Sequence, residues 1–355
     1  NAAGHTAAAM AAYKGHHSVL TRLRDLGADL NIASNCGETP AFQAAAGGFD
    51  DCLSLLKSAG ADLSIPTSRG WTPVFAAVFN DQVQCLRVLC GVPASSDSNS
   101  NSKPEFSDDC DCDLAAVDND HWSPVWIACR SGHLDSLMFL IEAGVDLSQP
   151  TKNGCTPAFI ASSHGHCSCL RALLDAGVVL EDADNQGRSI VSAAAFNGHT
   201  AVLSILKEAG ADLHSADSTG STPVLHAVMK GHLDCLVFLH KAGCKLDVAD
   251  DNGVTAVFLA AYHGFIDVLR ALLVLGAQQD ALEPCCYEQD STPMTPLEAA
   301  RRRGHSKCEA ELSKLVTGQL KTRSRANSSV QRRGVAPAAA HELEVGCFTY
   351  NIGVA

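Results

Sequence analysis

Asp217–Ala249 reads DSTGSTPVLHAVMKGHLDCLVFLHKAGCKLDVA, and the fold follows from how this stretch must behave. Gly220 is placed to supply the positive φ of a tight turn. Thr222-Pro223 then opens a helix: the Thr hydroxyl can accept from free N–H groups of the first turn, and Pro at the first helical position forfeits no hydrogen bond. Gly231 closes this short helix. Leu233, Leu236, Val237 and Leu239 carry an apolar stripe through a second one, which Gly243 stops. Neither helix is long enough to persist alone in water, and one pair cannot enclose its own apolar side. Further pairs must therefore stack on it.

The same grammar returns every 33 residues, with the turn glycine at Gly4, Gly37, Gly70, Gly154, Gly187, Gly220 and Gly253. The interval of 84 between Gly70 and Gly154 is two periods and 18 residues. His121, ahead of Trp122-Ser123-Pro124, stands where the missing glycine belongs, and the excess lies just before it. Gly37-Glu38-Thr39-Pro40, Gly70-Trp71-Thr72-Pro73, Gly154-Cys155-Thr156-Pro157 and Gly220-Ser221-Thr222-Pro223 keep the turn motif whole. Gly4-His5-Thr6-Ala7, Gly187-Arg188-Ser189-Ile190 and Gly253-Val254-Thr255-Ala256 keep part of it. With the A-A-x-x-G-H, L-x-x-L and G-A-D steps that follow, the chain resembles the ankyrin-repeat family. The resemblance implies an all-α solenoid of stacked helix-turn-helix units joined by β-turn or hairpin loops. It departs from the family at one slot, where the usual His two residues after Pro is Phe42, Phe75, Trp126, Phe159, Phe258 or Leu225, so apolar packing is expected in place of the family's Thr-to-His hydrogen bond.

Nine such units are expected over residues 1–317. An acidic, Ser- and Asn-rich insertion at about 90–113 and a short one at about 281–289 interrupt them. The first insertion has too little apolar surface to order itself and reads as a mobile loop. Arg301, Arg302, Arg303, Lys307, Glu309, Glu311 and Lys314 give the last unit the polar character of a closing cap. The first unit instead shows Ala2, Ala3, Ala7, Ala8, Ala9 and Met10 on its outer side, which raises the expectation of further units before it. Residues 318–355 form a basic tail, expected to be disordered, in which Arg323, Arg325 and Ser328 resemble a short basophilic kinase motif.

Net charge is −13; the tail has five basic residues against two acidic, which leaves −16 on residues 1–317. An acidic body argues against nucleic acid, whose phosphates need clustered cations, and favours a partner with a basic or apolar surface. No apolar run approaches the roughly 20 residues of a membrane span and no secretory leader is visible, so a cytoplasmic location is expected, with the nucleus as alternative. Cys52, Cys85, Cys169, Cys235 and Cys308 occupy one slot, filled by Val19, Val202 and Val268 in other units, and read as small buried hydrophobes. Sixteen cysteines therefore do not announce disulfides.

Chemistry-bearing patterns are sparse. The histidines His16, His133, His166, His199, His232 and His305 recur once per unit, too far apart to share a metal, and read as turn-stabilising hydrogen-bond donors. His164, His166, Cys167 and Cys169 have ligand types that suit zinc, but two of the four belong to structural slots. No G-x-S-x-G elbow, Walker loop or H-E-x-x-H occurs, so no enzyme activity and no cofactor are expected.

What remains is surface. In ankyrin-repeat proteins partners usually lie against the concave side made by the turn tips and first helices. Transferred to this sequence, the resemblance implies tip residues Arg69, Trp71, Trp122, Lys152 and Arg188. The ends of the first helices would add Phe79, Arg130, Phe196, Met229, Lys230, Tyr262 and His263. Aromatic and Arg side chains on an open face are the usual makings of a binding hot spot. The alternative for Phe79 and Phe196 is burial against the next unit. The expected role is a monomeric, non-enzymatic scaffold holding a protein partner; the alternative is the recruiting arm of a longer enzyme or ion channel.

Overall fold

The computed structural model describes residues 2–92, 112–180, 183–277, 284–285 and 293–317. The expected 90–113 and 281–289 insertions and the 318–355 tail lie almost wholly outside these. The described residues form an all-α solenoid of helix pairs. In chain order these are α1 (Ala7–Tyr13) with α2 (His17–Asp25), α3 (Pro40–Gly47) with α4 (Asp50–Ser58), and α5 (Pro73–Phe79) with α6 (Val83–Leu89). After the insertion come α7 (Pro124–Ser131) with α8 (Leu134–Glu142), α9 (Pro157–Ser163) with α10 (Cys167–Asp175), and α11 (Ile190–Phe196) with α12 (Thr200–Glu208). Then follow α13 (Pro223–Met229) with α14 (Leu233–Lys241), α15 (Ala256–His263) with α16 (Ile266–Val274), and α17 (Pro296–Arg302) with α18 over 306–317. No helix of the described residues is long and apolar enough to cross a membrane.

Each first helix starts as the Thr-Pro step requires. Thr39, Thr156, Thr222 and Thr255 accept from the backbone N–H three residues on, as does Ser123, while Thr72 makes no such bond. The Thr72 hydroxyl oxygen is buried with no partner among the described residues. The aromatic slot is filled by packing: Phe75 and Phe258 are fully buried and Leu225, Trp126 and Phe159 nearly so, with Phe42 only half-buried. First helices are rich in Ala and pack on one another more closely than the Leu-rich second helices do, so the stack bends toward its first helices. Their exposed ends thus lie on the inner side. The five slot cysteines are buried and unpaired. Burial drives the thiols up, Cys85 to about 12 and Cys169 to about 11, which leaves them inert hydrophobes at neutral pH.

The hairpin tips form a ladder of their own. Within a tip, the backbone N–H of Ser34, Thr67, Asp118, Thr151, Asp184, Asp217 and Asp250 donates to the carbonyl four residues on. The side-chain oxygen of the same residue accepts from the N–H at that position. Successive tips are then joined, Asn119 N–H to Arg69 carbonyl and Asp251 N–H to Thr219 carbonyl among others. His121 takes the turn at φ 62, a left-handed conformation that the glycines of the other turns adopt without side-chain strain.

The Gly-His step is an interlock between units rather than a device within one turn. His166, His199, His232 and His305 donate from Nε2 to the carbonyls of Arg130, Ser163, Phe196 and Tyr262 in the preceding unit, at 3.0–3.1 Å. Each ring lies over the preceding unit's glycine: a methyl group at Gly165 would come within 2.6 Å of the His199 ring, and one at Gly198 within 2.7 Å of His232. Asp81 replaces that glycine at φ 55, and there His133 reaches the Val78 carbonyl through Nδ1 instead. The Asp81 carboxylate accepts from the Ser136 hydroxyl at 2.6 Å and the Ser136 N–H at 3.1 Å, so it caps α8 across the 93–111 gap.

At the first unit Ala8 and Ala9 are buried, contrary to their reading as outer-surface residues, because they pack into the first-helix layer. Met10, Tyr13, Val19, Leu26 and Ile32 do stand exposed there. At the last unit Arg301–Glu309, Arg270–Glu311 and Lys314–Glu311 ion pairs lace α16, α17 and α18 on the outside.

Candidate functional site

The inner side carries a row of aromatic rings and cations. Trp71 packs against Phe75 and Phe79, with ring centroids 6.0 and 5.3 Å away, and its Nε1–H donates to Asp118 at 2.9 Å. It is therefore a strut between its own unit and the next as much as a surface residue. Phe79 remains 44% exposed, so the alternative of burial against the following unit does not hold for it. Trp122 stacks on Trp126 at 4.5 Å, and the Arg130 guanidinium lies over Trp122 at 5.0 Å and Trp126 at 5.7 Å. One unit therefore clusters two stacked indoles with a guanidinium within reach of both.

Further along, Lys230 lies 4.7 Å over the Phe196 ring, whose edge meets His226, and Met229 stands beside it, half-buried. Phe196 is likewise half-buried, with Lys230 and His226 of the following unit against its ring. Tyr262, expected on the open face, is instead buried at 5% exposure, stacked on Phe258 and covered by the Arg303 guanidinium at 4.1 Å. His263 is half-buried against Tyr262 and Phe265. Among the tips Arg69 is exposed, Lys152 is exposed and donates to the Asn119 carbonyl, and Arg188 is half-buried and clamped on Asp184. Of the set, Phe79, Arg69, Arg130, Lys152 and Lys230 are exposed, Tyr262 is buried, and the others are half-buried.

His226 is the polar residue here that the sequence reading passed over. It sits one turn into α13, buried, with Nε2–H donating to Asp217 at 3.1 Å. Burial pulls the imidazole below its ordinary value, against the raising effect of Asp217. The carboxyl of Asp217 is opposed by burial too, yet its bonds from Thr219, Ser221 and His226 hold it low. A neutral His donating to a carboxylate fits both shifts. Gln43 fills the same slot in its unit and donates to Glu38 at 2.7 Å, while Ala76, Ile127, Ile160, Ala193 and Leu259 fill it in others. The sign for stability follows. Below about pH 6.5 the unfolded chain binds a proton that the buried imidazole resists, so stability falls as pH drops through that value. The urea midpoint of the native protein is expected to decline between pH 7.5 and pH 5.5, and His226→Gln to flatten this decline; an unchanged pH profile in the variant would show that His226 is not its source.

Among the described residues no three His, Cys, Asp or Glu side chains are placed to share a metal ion. His166 is occupied by the Arg130 carbonyl and Cys169 lies in the core, which leaves His164 and Cys167 of the zinc-like cluster. A cavity of about 790 Å³ opens away from the inner face, lined by Leu174, Val178, Val179, Ile190 and Ala211, with Asp212 its one carboxylate among the described lining residues. No nucleophile with a partnering base lines it.

The chain matches the family model described as ankyrin repeats (3 copies), over residues 8–103, 105–184, 191–283 and 224–316. No curated protein matches it.

Proposed function

Because the chain belongs to the ankyrin-repeat family, whose members generally serve as protein-interaction modules, we propose that it is a monomeric scaffold holding a protein partner along its inner face. The observation that carries this reading is Phe79, a phenyl ring 44% exposed beside Trp71 at the end of a first helix, with Phe196 and Met229 half-buried at the ends of later first helices. Exposing apolar rings along one face is unfavourable unless something covers them. Spaced one or more units apart, they suit an extended or helical segment laid across several units, whose apolar side chains fill the gaps between rings. The basic-partner expectation from net charge belongs to the outer helices and loops, where most carboxylates lie, and long-range attraction there would speed encounter.

Affinity capture with the intact chain as bait tests the reading. Phe79→Ala with Met229→Ala should lower partner recovery about tenfold, as removal of two hot-spot side chains does, while leaving the far-UV circular dichroism and urea midpoint nearly unchanged. Full recovery on the double variant would rule this face out.

A further inference from the structure

We propose that the segment held by this face is acidic: an extended stretch of a partner protein with carboxylates spaced among apolar residues, opposite in sign to what a −16 body suggests. The inference rests on the interaction reading above and specifies the chemistry of its partner.

The argument is one of segregation. In a chain with 39 acidic against 26 basic residues, a surface cation should find a carboxylate readily. On the outer helices several do, as Arg270 and Lys314 do with Glu311 and Arg24 does with Asp25, and on the first helix α17 Arg301 pairs with Glu309. Arg130, Lys230 and Arg303, at the inner ends of α7, α13 and α17, have aromatic faces beneath them and no carboxylate partner among the described residues. Lys14 repeats the pattern over Tyr13 at 4.9 Å. The helix dipole favours cations at these ends, but it cannot be the whole cause. Four of the second helices, with the same dipole, finish on an acid, at Asp25, Glu142, Asp175 and Glu208, while α14 finishes on Lys241. Those outer helices also carry Arg87 and Lys207 over rings, Lys207 next to Glu208 and Arg87 on α6, which has no acidic residue.

Among the inner-face carboxylates Asp184 is paired with Arg188, while Asp118, Asp217 and Glu38 accept from the neutral donors Trp71, His226 and Gln43 and keep their charge. Asp120 and Asp251 stand exposed, at the hairpin tips. A guanidinium held over an indole, as Arg130 is over Trp122, still has N–H groups to offer a carboxylate. The cations cover the ring faces on which nucleobases would stack, and the acidic body repels a polyphosphate, so a single nucleic acid strand is disfavoured.

Spacing sets the ligand. With neighbouring helices roughly 8–10 Å apart, Arg130 and Lys230 are about 24–30 Å apart across three steps, and Lys230 and Arg303 about 16–20 Å across two. An extended chain at about 3.3 Å per residue covers these spans in about eight and about five residues. Two or three acidic clusters at those intervals would meet the cations in register.

The test uses the intact chain and synthetic fluorescent peptides. One carries Glu pairs about eight residues apart with Leu and Ser between, a second has Lys in place of Glu, and oligothymidine is a third probe. Anisotropy titration should show binding of the Glu peptide, weakened about tenfold by each of Arg130→Glu and Lys230→Glu. Lys241→Glu, exposed on α14, should leave it unchanged. Urea melts confirm that the variants fold. Absence of Glu-peptide binding, indifference to the charge reversals, or preference for the Lys peptide or oligothymidine overturns the proposal. Partner capture run in parallel separates the two ideas: dependence on Phe79 and Met229 without Glu-peptide binding removes the acidic assignment and leaves the interaction face standing.

Discussion

Gly165→Ala is expected to destabilise the protein by roughly 2–4 kcal/mol, about twice the effect of the same change at Gly210. Both glycines are left-handed, at φ 77 and φ 80, so both variants meet the conformational penalty of about 1–2 kcal/mol. At Gly210 an added methyl touches nothing within 4 Å, and Gly243, at φ 98, is equally open. At Gly165 the methyl falls 2.6 Å from His199 Nδ1, and that ring cannot retreat without breaking its 3.1 Å bond to the Ser163 carbonyl. Urea denaturation of the two variants decides the matter: equal midpoints would mean that the ring and the glycine are not locked together. His199→Ala added to Gly165→Ala should return part of the loss, since it removes the obstructing ring.

Phe75→Ala should destabilise by about 3–5 kcal/mol, the range for emptying a buried aromatic site. The ring is fully buried, and Trp71 leans on it at 6.0 Å. Its loss would leave a cavity beneath the Trp71 strut and slacken the bond to Asp118, one of the side-chain ties between the units on either side of residues 93–111. In a stack whose stability is a sum of unit and neighbour terms, such damage should be local, so unfolding ought to split into two phases, with a Trp fluorescence shift preceding loss of helix signal. A single cooperative transition with an unshifted midpoint would contradict this account of Phe75.

The architecture was legible because its signals repeat. Thr222-Pro223, Gly231 and Gly243 each mark a boundary that the model places at the same residue, and repetition averages away the ambiguity of any single short helix. His121 was identified as a turn residue from register alone and does take a positive φ. What stayed hidden depends on contacts between units. The His column could be seen to recur but not to reach backward across a boundary, because sequence spacing carries no direction. Tyr262 looked open by analogy with Phe79, yet is buried because Arg303 from the following unit covers it. The Ser, Thr or Asp three residues ahead of each turn glycine was a readable signal, as at Asp118, Asp184 and Asp217, and the turn ladder hangs on it. The charge of the inner face could not be read from a net total, since that total hides which helix each carboxylate occupies.

The reversed imidazole of His133 has a consequence for how this array can be edited. Wherever a glycine faces the ring of its successor, one module can be exchanged for another, because any donor brings a hollow on one side and a ring to fill the next. The junction between Asp81 and His133 is cut to a different key. Chimeras spliced among the modules after residue 112 should assemble with little adjustment, whereas a foreign module placed after Asp81 inherits an acid where it needs empty space.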